Sequence, residues 1–230
     1  MQSVSDILGV ITARGGSKRV PGKNIMPING KPLLAYTCEA VLQSRLVTRT
    51  VLSTDNEDIA AVGRDCGVEV PCIRPAELAD DTADPLDAIS HMLEYLQQSE
   101  NYMPEMVVLL QPTSPFRTSK HINEAVQLLK DSDADAAVSV VAVPHAQRPM
   151  HLLHIEEGKL LPAVSGANDD VTEVYAYNGA IYVFRTSVFG KTSHPFGDYV
   201  LPYVMSQKDS MDIDTPLDVA IAEFVLQQTQ

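Results

Sequence analysis

The chain has 230 residues, and 30 acidic against 17 basic side chains give it a formal net charge of −13 at pH 7. A chain of this length, 45% hydrophobic, fits one α/β domain with a substantial core. Its negative field makes general binding of nucleic acid or of an anionic membrane unfavourable.

The first predicted strand, residues 7–11, leads into a loop that concentrates positive charge. Residues 12–24 read T-A-R-G-G-S-K-R-V-P-G-K-N and contain four cations and three glycines but no carboxylate. Glycines let backbone N–H groups approach phosphate oxygens, and cations offset the phosphate charge. The loop therefore predicts a site for a polyanionic ligand that is bound with divalent metal; the alternative is a solvated basic loop.

Two common phosphate motifs do not fit this loop. The spacing from Gly16 to Gly22 is one residue too long for Walker A, and Asn24 follows Lys23 where that motif has Ser or Thr. The sequence contains no G-x-G-x-x-G either, so the dinucleotide fingerprint is missing. These mismatches disfavour a P-loop ATPase and a dinucleotide-binding protein.

The next elements alternate between helix and strand. Apolar periodicity predicts helices at 32–44, 57–66, 85–98 and 120–131, and strands at 50–53, 68–73, 106–110 and 136–143. This rhythm predicts an α/β fold with a doubly wound, mostly parallel sheet. Ligands of such sheets bind beyond the carboxyl ends of the strands. Those ends carry the basic loop, Thr54, Asp55, Arg74 and residues 111–114, so we expect one polar cleft.

The alternation breaks between Pro144 and Glu173. A turn at residues 156–159 predicts a hairpin that leaves the sheet. His151 and His154 have a spacing that could bind metal on a helix, but Pro149 disfavours a helix and no third ligand is evident. Surface or interface histidines are the better interpretation.

Near the end of the chain, after a predicted strand at 180–183, two carboxylates flank one apolar residue. On an extended segment Asp212 and Asp214 face the same way, with Ile213 opposite. Asp214 could cap the last helix, but Thr215 is a better N-cap, with an acid three residues later. The two remaining carboxylates predict a site for Mg²⁺ or Mn²⁺.

Composition and cysteine content also predict a location. The first ten residues lack the basic region of a signal peptide, and no apolar run approaches the length of a membrane span. Cys38, Cys66 and Cys72 form no C-x-x-C pair, so we expect reduced thiols. These features predict a cytoplasmic protein without membrane or nucleic-acid partners.

Five motifs, in order and across nearly the whole chain, closely resemble those of the CMP-N-acetylneuraminate synthetase (N-acylneuraminate cytidylyltransferase) family. They are the basic loop, R-P-A-E-L-A-D-D-T-A at 74–83, L-L-Q-P-T-S-P-F-R at 109–117, N-G-A-I-Y at 178–182 and D-I-D-T-P-L-D at 212–218. The resemblance implies a Rossmann-like nucleotidyltransferase that moves CMP from CTP to the anomeric 2-hydroxyl of a nine-carbon 2-keto sugar acid and releases pyrophosphate. It also implies a homodimer, with residues 144–178 inserted as a dimerisation segment in a single domain spanning 1–230.

The resemblance assigns roles to the motif residues. The nucleotide-binding set is Arg14, Gly15, Gly16, Ser17, Lys18, Lys23, Asn24 and Arg74. The residues expected to act in catalysis are Arg14, Lys18, Lys23 and Asp214. Those expected to face the sugar acid are Gln111, Thr113, Ser114, Arg117, Tyr177 and Asn178. Asp212 and Asp214 match the metal pair, and the general base has no assignment.

The sugar side departs from the family pattern. Members that act on N-acetylneuraminate commonly have arginine where this chain has Ala176, and Asp169, Asp170 and Glu173 stand where basic residues are expected. The acceptor could therefore be a related nonulosonate such as legionaminate; the retained N-G-A-I-Y disfavours pseudaminate. One alternative is a CMP-Kdo synthetase, whose first loop usually lacks G-S-K, and another is a non-catalytic nucleotide-binding module, which would not need both aspartates. A third is a sugar-1-phosphate nucleotidyltransferase, which would form a pyrophosphate-linked product.

Overall fold

The computed structural model describes residues 5–80, 85–164, 173–191 and 196–228. Its ten strands are β1 (Ile7–Thr12), β2 (Pro27–Ile28), β3 (Lys31–Pro32), β4 (Arg49–Ser53), β5 (Met106–Leu110), β6 (Ala136–Ala142), β7 (Leu153–Glu156), β8 (Lys159–Pro162), β9 (Tyr175–Arg185) and β10 (Val200–Met205). Its α-helices are α1 (Leu33–Leu42), α2 (Glu57–Asp65), α3 (Pro85–Glu100), α4 (Ser119–Lys130) and α5 (Pro216–Gln227).

Six of these strands form a central sheet in the order β10-β6-β9-β5-β1-β4. Strand β9 runs antiparallel to both of its neighbours, and the other neighbouring pairs are parallel. The prediction of a mostly parallel sheet is therefore confirmed. Because β9 is reversed, its first residues lie at the same edge as the carboxyl ends of β5 and β6.

Helices cover both faces of the sheet, as a doubly wound fold requires. Residues of β1 alternate between the two faces: Ile7 and Ile11 pack with α1, α2 and α4, whereas Leu8 and Val10 pack with α3. Strand β5 is buried along its whole length, as its continuous apolar run predicted. In the part of the chain that the structure describes, no helix is both long and apolar enough to cross a membrane.

The segment predicted as a strand at 68–73 is not a strand of the sheet. It forms two isolated bridges, from Glu69 to Val51 of β4 and from Ile73 to Thr54, the residue after β4. Pro71 lies between them and has no N–H to donate to a ladder, which explains the interruption.

Strand β10 was not predicted, because Pro202 lies in its middle. It forms an edge of the sheet, where a proline can turn its nitrogen away from the neighbouring strand. Its carboxyl end leads directly to the segment that carries Asp212 and Asp214.

Strands β7 and β8 form the predicted hairpin, apart from the main sheet. Every residue of both strands is exposed, including Leu153, Ile155 and Leu160, which are 55%, 75% and 67% exposed. Pro149 begins a single 3-10 turn, Pro149–His151, instead of a longer helix. Asp169 and Asp170 lie outside the described residues.

Candidate active site

A cleft of about 570 Å³ lies at the edge of the sheet where β1, β4 and β5 have their carboxyl ends. It gathers polar residues from four parts of the chain, as the sequence predicted. They are Arg14, Ser17, Lys18, Arg19, Lys23 and Asn24 from the first loop, Arg74 from the segment after α2, Gln111 and Thr113 from the loop after β5, and Asp214, together with other residues of these segments. Lys18 and Asp214, almost 200 residues apart, therefore line the same cavity.

The first loop is anchored through its backbone. Gly15 N donates to the Asp55 carboxylate at 2.9 Å, and the Asn24 amide donates to Arg14 O at 2.9 Å. A Cβ at Gly15 would stand 3.1 Å from the Asn56 Cβ, so glycine allows this close approach. Anchoring of the main chain leaves the cationic side chains to line the cleft.

The glycines of this loop extend the cleft. A second cavity of about 370 Å³ is lined by Gly15, Gly16, Ser17 and Lys18 on one side and by Ala79 and Asp80 on the other. The Arg14 guanidinium donates to Asp80 O at 3.0 Å and joins the two walls. The combined cavity can take a ligand longer than a single phosphate.

The segment with the two aspartates is fixed by the apolar residue between them. Ile213 is fully buried in a cluster with Ile28 and Phe116, and its N–H donates to Thr113 O at 2.9 Å. Thr215 is the N-cap of α5 and Asp218 completes the capping box, as predicted. Asp214 is therefore available for other contacts.

Asp214 joins the acidic and basic parts of the cleft. Its carboxylate accepts from Lys23 Nζ at 2.9 Å and from Arg19 Nη1 at 3.3 Å. Lys23 Nζ also donates to Ile213 O at 2.7 Å. The ammonium of Lys23 thus connects the first loop to residues 212–214, the aspartate segment.

Asp212 lies close enough to Asp214 for the two charges to interact. Asp212 is exposed and is not among the residues that line the cleft. Partial desolvation, together with the Asp214 charge, raises the pKa of the Asp212 carboxyl, although a hydrogen bond from Thr113 opposes the shift. The second carboxyl therefore carries its charge at a cost that a bound cation would remove.

Arg74 supplies a buried cation on the opposite wall. Its side chain is 5% exposed, its Nη2 lies 3.8 Å from the Asp55 carboxylate, and its Nε has no partner among the described residues. Burial lowers the pKa of the Arg74 guanidinium, and the Asp55 charge partly offsets this. An acceptor atom of a ligand would satisfy the remaining donor.

On the predicted sugar side, Gln111 and Thr113 line the cleft. Gly179 has φ +73°, and a Cβ there would stand 2.8 Å from Gln111 Oε1, so glycine makes room for that amide. Tyr177 is 60% exposed, with its ring 6.4 Å from that of Tyr182. Ala176 is also exposed. Its small side chain supplies no cation at the position where an arginine was expected from the resemblance.

Three residues predicted to face the sugar lie behind the cleft wall. Ser114 is 1% exposed. Arg117 is 2% exposed and donates to Gln111 O at 3.0 Å, to Ala180 O at 2.6 Å and to the Thr37 hydroxyl. Burial lowers the pKa of the Arg117 guanidinium, which these acceptors stabilise. Arg117 therefore braces the wall through its hydrogen bonds, and Ser114 is buried behind it.

Asn178 has a similar bracing position. Its Oδ1 accepts from Ser139 Oγ at 2.6 Å and its Nδ2 donates to Ser210 Oγ at 2.9 Å. These bonds tie β9 to β6 and to the loop after β10. The asparagine therefore shapes the wall on which Gly179 and Gln111 meet.

Sequence reasoning left three contacts of the site without a role. The sequence marks Arg19 as a cation of the loop without identifying its partner, and it marks Asp55 only as a polar residue at a strand end. The anchoring backbone oxygen of Asp80 carries no sequence signal. Pairing of Arg19 with Asp214 depends on the tertiary fold, which the sequence pattern does not encode locally.

Comparisons with known proteins agree with this architecture. A family model described as cytidylyltransferase matches residues 8–159. The N-acylneuraminate cytidylyltransferase of Escherichia coli O18:K1:H7 is 35% identical over 227 residues, which are 96% of this chain and 52% of that protein. The chain thus spans about half the length of that relative. The CMP-N,N'-diacetyllegionaminic acid synthase of Legionella pneumophila is 36% identical over 231 residues and 97% of each chain.

Solved structures show the same fold at lower identity. CMP:2-keto-3-deoxy-manno-octonic acid synthetase complexed with CTP superimposes with a TM-score of 0.73 at 19% identity, over 98% of this chain and 100% of that one. A 4-diphosphocytidyl-2C-methyl-D-erythritol synthase from Anaerococcus prevotii superimposes with a TM-score of 0.67 at 14% identity, over 97% of this chain and 99% of that one. The motif-based resemblance is thus confirmed, and the chain belongs to the cytidylyltransferase family.

Proposed function

We propose that this protein transfers CMP from CTP to the anomeric 2-hydroxyl of a nine-carbon 2-keto sugar acid and releases pyrophosphate. The observation that carries the proposal is the contact between the first loop and the aspartate segment, where Lys23 lies 2.9 Å from Asp214 inside one cleft. The family and the named relatives support the same reaction class.

In this proposal the first loop holds the triphosphate. Its glycines let the backbone approach the phosphate oxygens, and Arg14, Lys18 and Lys23 neutralise charge that develops as pyrophosphate leaves. Asn24 and Arg74 lie on the cytidine side. The attack of the sugar hydroxyl on the α-phosphorus needs mainly alignment and charge stabilisation from the protein.

Asp212 and Asp214 are the residues proposed to hold Mg²⁺ or Mn²⁺. Carboxylate oxygens suit these cations, and the raised pKa of Asp212 is relieved by a positive charge. The described residues contain no group of three or more His, Cys, Asp or Glu that could hold a metal, so phosphate oxygens and water would complete the shell. When bound, the ion would supply charge neutralisation at the phosphates.

The acceptor is proposed to be a nonulosonate, with legionaminate-type acids favoured over N-acetylneuraminate. The two relatives compared above are almost equally similar, at 35% and 36% identity, so similarity does not separate them. Exposed Ala176 at the family arginine position favours an acceptor that needs no cation there. Gln111, Thr113 and Tyr177 are the accessible side chains on that side of the site.

We also propose that the protein is a cytoplasmic homodimer, in which the hairpin formed by β7 and β8 meets the partner. Its exposed Leu153, Ile155 and Leu160 are apolar side chains that an interface would bury. All three cysteines of the chain are free, in agreement with a reducing compartment. An Ile155→Asp variant that remains a dimer in sedimentation would contradict this use of the hairpin.

One acceptor panel tests the proposed reaction. The protein is mixed with CTP, Mg²⁺ and, in separate reactions, N-acetylneuraminate, N,N'-diacetyllegionaminate, pseudaminate or Kdo, and pyrophosphate release is measured. We expect turnover with at least one nonulosonate and the highest kcat/KM with the legionaminate. Turnover with Kdo alone would favour a CMP-Kdo synthetase, and CTP binding without any turnover would favour a non-catalytic module.

A further inference from the structure

Arg19 lies where the proposed phosphate-binding and metal-binding residues meet. Its Nη1 is 3.3 Å from Asp214 Oδ2, and its side chain lines the cleft while 74% exposed. Lys23, on the other carboxylate oxygen, is 14% exposed and has a second bond to Ile213 O. Asp214 therefore pairs with two cations: Lys23, which is held in place by the fold, and Arg19, whose side chain is largely in solvent.

This pairing opposes metal binding at Asp214. A carboxylate that holds a divalent cation attracts a guanidinium weakly, because the nearby double positive charge repels it. Arg19 would then need another anion within reach. Ser17 and Lys18, its neighbours in the same loop, line the part of the cleft proposed for the triphosphate. Guanidinium groups match phosphate oxygens well in geometry and charge.

We propose that Arg19 exchanges partners during substrate binding: it pairs with Asp214 in the metal-free cleft and contacts the CTP phosphates once Asp214 binds a divalent cation. The inference rests on the proposed function, because it requires CTP and metal in this cleft. Its consequence is a positive coupling, in which metal strengthens CTP binding partly by releasing Arg19. By thermodynamic reciprocity, CTP strengthens metal binding through the same residue.

Calorimetric CTP binding in the absence of acceptor tests the exchange, with EDTA in one series and Mg²⁺ in the other. Arg19→Gln should weaken CTP binding about two-fold or less in EDTA, where the native side chain is held by Asp214. It should weaken CTP binding about ten-fold or more in Mg²⁺, where a charge-assisted hydrogen bond is lost. The matched control is Arg64→Gln, which removes another exposed 3.3 Å ion pair, to Glu57 in α2; it should leave both affinities unchanged.

A second variant, at Asp214, tests whether this residue holds Arg19 in the metal-free protein. In EDTA, Asp214→Asn should tighten CTP binding, because the neutral amide holds Arg19 less strongly and no longer repels phosphate. Adding Arg19→Gln should remove more affinity in this background than it does in the native protein. Equal losses in the two backgrounds would mean that Asp214 does not restrain Arg19.

The outcomes separate this inference from the proposed function. If Arg19→Gln weakens CTP binding equally with and without Mg²⁺, Arg19 is a fixed phosphate contact and the exchange is wrong. If it weakens binding in neither case, Arg19 does not reach the phosphates and the exchange is also wrong. If the native protein binds no CTP, or binds it equally with and without Mg²⁺, the metal-dependent function fails together with the inference.

Discussion

Replacement of Asp214 by asparagine separates the proposed catalytic role of this carboxylate from its contribution to stability. The side chain is 48% exposed and forms ion pairs with Lys23 and Arg19 at 2.9 and 3.3 Å. Exposed pairs contribute about 0.2–1 kcal/mol each, and asparagine retains an oxygen that can accept from Lys23. We therefore expect the free energy of unfolding to fall by about 1 kcal/mol or less.

The expected effect on turnover is much larger. Loss of one preorganised group that stabilises developing charge typically lowers kcat 10²–10³-fold, equivalent to about 2.7–4 kcal/mol. Asp214→Asn should therefore lower kcat about 100-fold or more with CTP, Mg²⁺ and the accepted sugar acid. The activity loss would exceed the stability loss by at least about 2 kcal/mol.

The assay is pyrophosphate release at saturating CTP, with urea unfolding of the same protein samples. Glu57→Gln is the control, because it also breaks an exposed ion pair, to Arg64 within α2, and neither residue lines the cleft. It should leave kcat unchanged. A normal kcat for Asp214→Asn at limiting Mg²⁺ would refute the assigned role, and so would a kcat loss that merely follows the fraction of unfolded protein.

Three further predictions concern Asp212, Arg117 and Gly179. Asp212→Asn should stabilise the metal-free protein at pH 7, because the raised pKa of Asp212 disfavours its charged form in the fold. The gain in stability should vanish below about pH 4, where the carboxyl is protonated in both the folded and the unfolded state. Urea unfolding midpoints of the variant and the native protein at the two pH values would check this. Arg117→Met should cost about 3 kcal/mol by removing the buried donors to Gln111 O, Ala180 O and the Thr37 hydroxyl, and a melting temperature lowered by less than about 3 °C would contradict this. Gly179→Ala should cost about 1–2 kcal/mol and raise the KM for the acceptor by displacing Gln111; an unchanged KM would argue against the position of that amide.

Local patterns were sufficient to predict most of the framework. The strand at 106–110 and the capping of α5 by Thr215 and Asp218 depend on short-range sequence, and the structure has both. The structure buries Ile213 between the two aspartates, as strand-like alternation predicts, and Asp214 lines the cleft. The meeting of the basic loop with Arg74 and Gln111 could be predicted because the strands of such a sheet bring their carboxyl ends to one edge. The place of Asp214 in the same cleft was expected from the family resemblance, since β10, the strand before it, has no clear sequence pattern.

Other features depend on contacts between distant parts of the chain. Strand β10 contains Pro202, which local rules disfavour and an edge position permits. Arg117 and Asn178 belong to motifs next to the cleft, but their hydrogen bonds to Thr37, Ala180 and Ser139 direct them into the wall. Sequence spacing alone cannot separate a side chain that lines a site from one that supports it.

The most direct test of the central claim is a crystal structure of the protein with CTP and Mn²⁺, with anomalous scattering used to locate the metal. We predict the triphosphate on the loop that carries Lys18 and Lys23, and a manganese peak within bonding distance of both Asp212 and Asp214. A nucleotide bound away from this loop, or manganese bound without contact to either aspartate, would contradict the account.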